Sequence, residues 1–504
     1  MGARRPHMQD VVLVEAEVDA DALGPTGQSD DESAEPPGVA RARSAAAWFP
    51  RTRRWWAAGS VLALLVGANA VASGRREQAR VAALAELPGI IAPVDGPLTE
   101  LWQTDASPLD APAVAGRLLA VLNGRDGSAS VVGLDPRTGR VGWRTQVRPA
   151  SSINGWAACA VPDPPGRMGG TASTPTVTCV VADDVVVTDE DISGYVEFPS
   201  RSRLLVLDAR DGRVLSEDPA LPSLSVAALG ADLVTSSVAA DGRVHVARAD
   251  ARGGPVRWRF VGPDPIPPDD AHQRMASIEV IGNRVVVHAG TTWVLSADGD
   301  VLGHWTPDPA SPLGSWVAVM PGGRLVAEPV VADDLGATWN QVTDLETGRS
   351  FAALGNPVQA TLDDGSLADL FLTTAIEHRE LVAYDVGSGH RRWTATAKTD
   401  GAVLVVDQRI VRTETHELQS VDGRTGKPVW TTPIASTAPS SLVSDGRLVL
   451  LIEPAAGPGA ELVAYGLDDG RLRWKSRLPE DLYLFAIDGR LFGWSENGTV
   501  VALG

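Results

Sequence analysis

Cys159, Cys179 and eight histidines spread from His7 to His416 are the residues of this 504-residue chain with the widest chemical scope. Nucleophilic, redox or metal chemistry needs such side chains at set spacings. The chain holds no Gly-x-Ser-x-Gly elbow, no His-Glu-x-x-His, no phosphate-binding loop and no Cys-x-x-Cys. A calcium loop of the form Asp-x-Asp/Asn-x-Asp/Asn-Gly is also missing. The nearest acidic clusters, Asp298-Gly299-Asp300 and Asp363-Asp364-Gly365, read as hairpin turns, and Glu377-His378-Arg379-Glu380 reads as a solvated connection. No catalytic or metal-ligating residue is therefore assigned, and any cofactor-binding residues are unknown. A site gathered by the fold from distant parts of the chain stays open.

What does recur is a turn, Asp-x-x-Thr/Asp/Ser-Gly-x-x-x-Trp. Good copies run from Asp135 through Gly139 to Trp143, from Asp385 through Gly389 to Trp393, and from Asp422 through Gly426 to Trp430. Looser copies are Asp208, Gly212 and Ser216; Asp250 to Trp258; Asp298 to Trp305; Asp344 to Phe351; and Gly466, Gly470 and Trp474. Apolar runs such as Leu204-Leu205-Val206-Leu207 precede these turns and suit strands buried on both faces. An Asp carboxylate can accept backbone N–H groups two residues on, and Gly adopts positive φ without a steric penalty. The pair closes a tight hairpin. The Trp that follows offers a large apolar face to a neighbouring sheet and one N–H to an acceptor, so these tryptophans are expected to pack rather than bind ligand.

Trp or Trp-equivalent positions fall at 102, 143, 216, 258, 305, 351, 393, 430 and 474, spaced by 37 to 47 residues except for 73 between Trp143 and Ser216. Strand-rich repeats of that period predict an all-β propeller of four-stranded blades. The strand Thr499 to Leu503 ends the chain where the repeat calls for a Trp strand, and Leu101-Trp102-Gln103-Thr104 supplies one. Pairing the two would close the ring and leave no open edge. Counting gives nine units, one above the usual four to eight. Eight blades are expected, with one irregular unit among those carrying Ser216 or Phe351.

Segments such as Leu381-Val382-Ala383-Tyr384-Asp385-Val386-Gly387-Ser388-Gly389-His390-Arg391-Arg392-Trp393 resemble the repeat of the pyrroloquinoline-quinone (PQQ) propellers. The resemblance covers roughly 98–504. It implies the propeller fold, and a family that includes PQQ-dependent alcohol dehydrogenases, the outer-membrane assembly lipoprotein BamB and envelope proteins without a known cofactor. The enzyme branch holds its quinone beneath a disulfide between adjacent cysteines, near a calcium-bound carboxylate and a catalytic Asp. Cys159 and Cys179 are not adjacent, so no residue carries over to those roles.

Composition sets further bounds. A net charge of −19 excludes a nucleic-acid role built on phosphate neutralisation. Lysine occurs only at Lys398, Lys427 and Lys475 among many arginines, a bias that suggests a GC-rich bacterial genome. Residues 1–50 read as a disordered cytoplasmic tail with no signalling domain. Trp55 to Ser73 lacks any charge and is long enough as a helix to span a bilayer, which places a transmembrane helix over 51–74. Trp48, Phe49, Trp55 and Trp56 form an aromatic belt, and five arginines before the span against three after it put the N-terminus inside. A cleaved signal peptide is the competing reading, opposed by the length of the leader. Residues 75–97 read as a short juxtamembrane helix and linker that tethers a propeller over 98–504. Outside the cell, Cys159 and Cys179 are expected to pair around a long hairpin loop; two buried free thiols are the alternative. The sequence thus points to a membrane-anchored, extracytoplasmic, non-catalytic binding or scaffold module of the bacterial envelope. Its partner would be an envelope protein or a cell-wall polymer. The alternative is a PQQ- and calcium-dependent alcohol or sugar dehydrogenase.

Overall fold

The computed structural model describes residues 79–81, 84, 87 and 89–504, apart from 110–112, 151–156, 163–174, 189–195, 221–223, 252–253, 267–275, 307–316, 333, 335, 400, 437–440 and 496–497. The expected tail and transmembrane span, 1–50 and 51–74, lie outside these residues. No helix among the described residues is long and apolar enough to cross a membrane.

The described strands form nine antiparallel blades in chain order: blade 1 over 106–148, blade 2 over 157–220, blade 3 over 225–261, blade 4 over 277–305, blade 5 over 318–354, blade 6 over 356–396, blade 7 over 403–433, blade 8 over 443–478, and blade 9 over 483–503 completed by Glu100–Thr104. The count of eight is therefore corrected to nine. Neither the Ser216 blade nor the Phe351 blade is degenerate; each has four strands. The reason is physical: a blade is built by its buried inner strands, such as Val177–Ala182 in blade 2 and Leu325–Ala327 in blade 5, and not by the aromatic on its outer strand.

Within a blade the inner strands are buried on both faces, as in Ala129–Leu134, where all six residues are buried. The outermost strand alternates between exposed and half-buried positions, as in Val256–Val261. The ring closes as the repeat predicts, with Trp102, Gln103 and Thr104 pairing antiparallel to Ala502, Val501 and Val500.

The core is divided among the blade-to-blade junctions, each filled by its own apolar cluster. Trp393, Leu381, Ala383, Val403, Val405, Ile410 and Val421 fill the junction of blades 6 and 7. Among the described residues the buried cluster between blades 2 and 3 is Ala160, Leu233 and Ala251, and that between blades 4 and 5 is Val286, Val294, Val319 and Val326.

The long interval in blade 2 has a regular explanation. Its two central strands, Thr176–Thr188 and Val196–Asp208, pair along their whole length to Thr188↔Val196, and the rest of the surplus lies in the connection from Ala160 to Thr176. Cys159 and Cys179 face each other across adjacent strands and form the disulfide.

Residues 79–81 and 84 are helical. The segment that follows is not a free tether. Leu84, Ile90, Ile91 and Val94 are buried among residues of blades 7, 8 and 9.

Candidate functional site

Two features of the ring are built by residue types that the sequence singles out: the turns that lock blades together, and the inner edges facing the ring centre. In the turns, Gly139, Gly212, Gly389, Gly426 and Gly470 have φ between 64° and 74° and donate their N–H to the carbonyl four residues back. That carbonyl belongs to Asp135, Asp208, Asp385, Asp422 or Gly466. Asp422 Oδ1 also accepts the N–H groups of Arg424 and Thr425 and the Thr425 hydroxyl. In Asp385, hydrogen bonds from Ser388 and then Arg392 hold the carboxyl down at about 2.

Each such turn receives the aromatic side chain of the preceding blade. A Cβ placed on Gly426 would lie 2.5 Å from the Trp393 ring, and the Trp393 indole donates to Gly423 O at 2.9 Å. Trp102 on Gly139, Trp143 on Gly212 and Trp430 on Gly470 repeat this, with their indole N–H groups bonded to Pro136, Ala209 and Leu467 carbonyls. Glycine is required twice over here, for its positive φ and for the absent Cβ. Phe351 docks on Gly389 in the same way without a donor.

Blade 4 departs from the reading of its turn. The turn starts at Ser296, whose carbonyl accepts Gly299 N–H, and Trp258 docks on Gly299 while donating to Ala297 O at 2.8 Å. The position four after Gly299 is Gly303, not Trp305. The Trp305 ring instead folds back over Gly303 of its own strand, and nothing approaches Gly348 of the next blade. Ser216 is exposed and contributes no such lock. Trp474 has a buried indole nitrogen with no acceptor among the described residues, and the turn glycine of blade 9, Gly498, has open space beside it.

The inner edge of the ring carries two additional chain segments. Leu362–Asp363 pairs in parallel with Leu404 and Val405 on the inner strand of blade 7. Thr361 Oγ1 donates to Val403 O and Leu442 O, tying blades 7 and 8 together. Asp407 and Gln408, both at positive φ without being glycine, have their N–H groups taken by Asp364 Oδ2 and Ser366 Oγ. Ile90 adds in parallel to Ser444 on the inner strand of blade 8. Neither segment was legible as an inner strand, because a two-residue parallel bridge has no period to reveal it.

Two clefts border these segments. One of about 540 Å³ lies against Ile91, Val94, Asp95, Asp488, Arg490 and Phe492. Another of about 310 Å³ is lined by Met320, Leu325, Asp363, Leu367, Phe371 and Val405. Burial pushes the Asp363 carboxyl up. The deeply buried carboxylates among the described residues lie elsewhere and each has a hydrogen-bond or ion-pair partner, with Asp232 Oδ1 alone of the Asp232 oxygens unpartnered. Glu414 accepts Lys398 and Thr399 N–H groups, Asp232 accepts Arg248 and Arg257, and Glu453 accepts the Tyr465 hydroxyl at 2.5 Å. Among the described residues no three His, Cys, Asp or Glu side chains are grouped to hold a metal ion. Among the described residues His245, His288 and His304 sit on separate strands and His378, His390 and His416 lie in turns or connections; burial lowers the pKa of His288, whose Nδ1 lies 3.0 Å from Thr292 Oγ1.

The family model described as outer membrane protein assembly factor BamB matches residues 330–491, which run from blade 5 into blade 9. The curated proteins give no match. Among solved structures, BamB from Moraxella catarrhalis is 14% identical over 81% of this chain and 99% of its own, with a TM-score of 0.40. A computationally designed protein is 15% identical over 76% and 100%, with a TM-score of 0.37. The dihydro-heme d1 dehydrogenase NirN in complex with DHE is 16% identical over 75% and 78%, with a TM-score of 0.35. Residues 330–491 thus match a PQQ-like repeat family, and the described residues as a whole form a β-propeller of four-stranded blades with aromatic-on-glycine turns.

Proposed function

We propose that this protein is a non-catalytic binding or scaffold propeller of the bacterial cell envelope, anchored through 51–74 with the ring on the extracytoplasmic side. The observation that carries the reading is the filled inner edge. Leu362–Asp363 and Ile90 occupy the inner strand edges of blades 7 and 8, where a central site would need room. The uncharged stretch from Trp55 to Ser73 and the match to an outer membrane assembly factor support the envelope setting.

The partner contact is assigned to blade 2. Its central strands continue to Thr188 and Val196, past the last pairs with their neighbours at Ala157↔Val181 and Ser202↔Ala220. The extension is a two-stranded ribbon with both backbone edges free of strand partners among the described residues. Such edges accept an incoming extended segment. Shortening this ribbon while keeping both cysteines should abolish crosslinking to envelope partners in intact membranes; undiminished crosslinking would remove the assignment.

The catalytic alternative is tested by thermal unfolding of the full-length protein with and without PQQ and calcium. A ligand at a hundred times its Kd stabilises a folded state by about 2.7 kcal/mol. No shift is expected. A clear rise in Tm would replace the scaffold reading with that of a quinoprotein dehydrogenase.

A further inference from the structure

We propose that the segment from Gly89 to Leu98 is a strap that locks blade 8 to blade 9, in place of the aromatic lock that this junction lacks. The junction stands out in two ways. Trp474 finds no glycine turn to dock on, as its neighbours Trp393 and Trp430 do. Yet its apolar cluster is as large as that of any docked junction, and Ile91 and Val94 of the strap are inside it, with Val443, Leu450, Leu462, Leu484, Leu491 and Val501. The other junctions without an aromatic lock, between blades 2 and 3 and between blades 4 and 5, have no such supplement among the described residues and bury fewer of them.

The polar contacts of the strap divide between the same two blades. On blade 8, Ile91 N–H donates to Ser444 O at 3.1 Å, Val94 N–H donates to Asp445 Oδ2 at 3.0 Å, and Arg447 pairs with Asp95 at 3.1 Å. Arg80, ahead of the strap, donates to Gly446 O on the same blade, and the Ser476 hydroxyl donates to Leu98 O. On blade 9, Ala92 N–H donates to Gly489 O at 2.7 Å. Successive residues, Ile91 and Ala92, therefore hold opposite sides of one junction. Ile90, with Leu84 ahead of the strap, extends the grip to the cluster shared by blades 7 and 8. The strap runs directly into Glu100–Thr104, the strand that completes blade 9, so it fastens the ring beside its own closure.

Closure at this junction accordingly depends on a segment that leads out of the ring toward the N-terminus. Release of the strap should open blade 9 from blade 8 and leave distant junctions shut. This inference does not depend on the scaffold reading.

Hydrogen exchange on the full-length protein, read peptide by peptide by mass spectrometry, tests it. Ile91→Asp places a charge in the cluster, and Ala92→Pro removes the N–H that reaches blade 9 while leaving the Ile91 side chain in place. In Ile91→Asp, exchange over 443–454 and 483–494 should rise about tenfold or more with blades 3 to 6 unchanged, since local opening has its own free energy. In Ala92→Pro the rise should be smaller and confined to blade 9. No change at 483–494 in either variant, or an equal rise in every blade, would overturn the strap. If Ile91→Asp fails to fold, Ala92→Pro decides alone.

Discussion

The junction of blades 6 and 7 and the junction of blades 2 and 3 are made from the same four-stranded unit and are held in different ways. At the first, Trp393 lies on Gly426, bonds to Gly423 O and joins a broad apolar cluster. At the second, exposed Ser216 stands where the aromatic would be, and three small or aliphatic residues make the buried contact. Inner strands suffice to make a blade; at these two junctions the docked aromatic accompanies the broader apolar contact. The disulfide between Cys159 and Cys179 falls beside the smaller contact. It ties down the inner strand that supplies Ala160 to that junction.

The contrast can be broken most directly at Trp393. Trp393→Ala should cost about 3–5 kcal/mol through lost burial and a cavity, whereas Ser216→Ala should fall within about 0.5 kcal/mol of the parent, both read by denaturant unfolding. Replacing both cysteines by alanine should cost about 3 kcal/mol on the chain-entropy account of a loop this long. The loss should show first as faster exchange between blades 2 and 3.

Glycine substitutions sharpen the comparison further. Gly426 and Gly348 share nearly the same backbone, φ 69° and 68°, but only Gly426 lies under a ring. Alanine at Gly348 should cost about 1 kcal/mol for left-handed backbone alone, and alanine at Gly426 about 3 kcal/mol because the ring must also move. Equal losses at the two sites would mean that the ring contact contributes little.

The smallest effect is electrostatic and belongs to an undocked turn. The Arg324 guanidinium, 2.7 Å from Asp344, holds that carboxyl down at about 2 against an ordinary value of 3.8. A lowered carboxyl stabilises the fold above its unfolded pKa, and the contribution disappears as pH falls from about 4 toward 2. With Arg324 partly exposed, screening leaves about 1 kcal/mol. Arg324→Gln should remove that part of the acid-induced loss and leave stability above pH 5 lower by the same amount.

Much of the fold was legible because a propeller repeats itself. Asp135, Asp385 and Asp422 announce their turns, and Trp102 beside the terminal strand announces ring closure. The blade count was misjudged because Ser216 and Phe351 look like failed repeats, although the inner strands that make those blades are intact. Trp305 packs against the junction of blades 4 and 5 without docking on the next turn, because register leaves Gly303 at the docking position. The two inner-edge segments escaped notice because short parallel bridges carry no pattern of their own.

The sequence by itself determined the repeat and its hairpin turns, since each depends on residues that are neighbours in the chain; the two cysteines were expected to pair, and the strand register brings them face to face. Only the tertiary structure decided which aromatic meets which glycine, and how Ile90 and Leu362 come to line adjacent inner edges. These contacts join residues dozens to hundreds of positions apart, and their geometry is fixed by how each blade leans on the next.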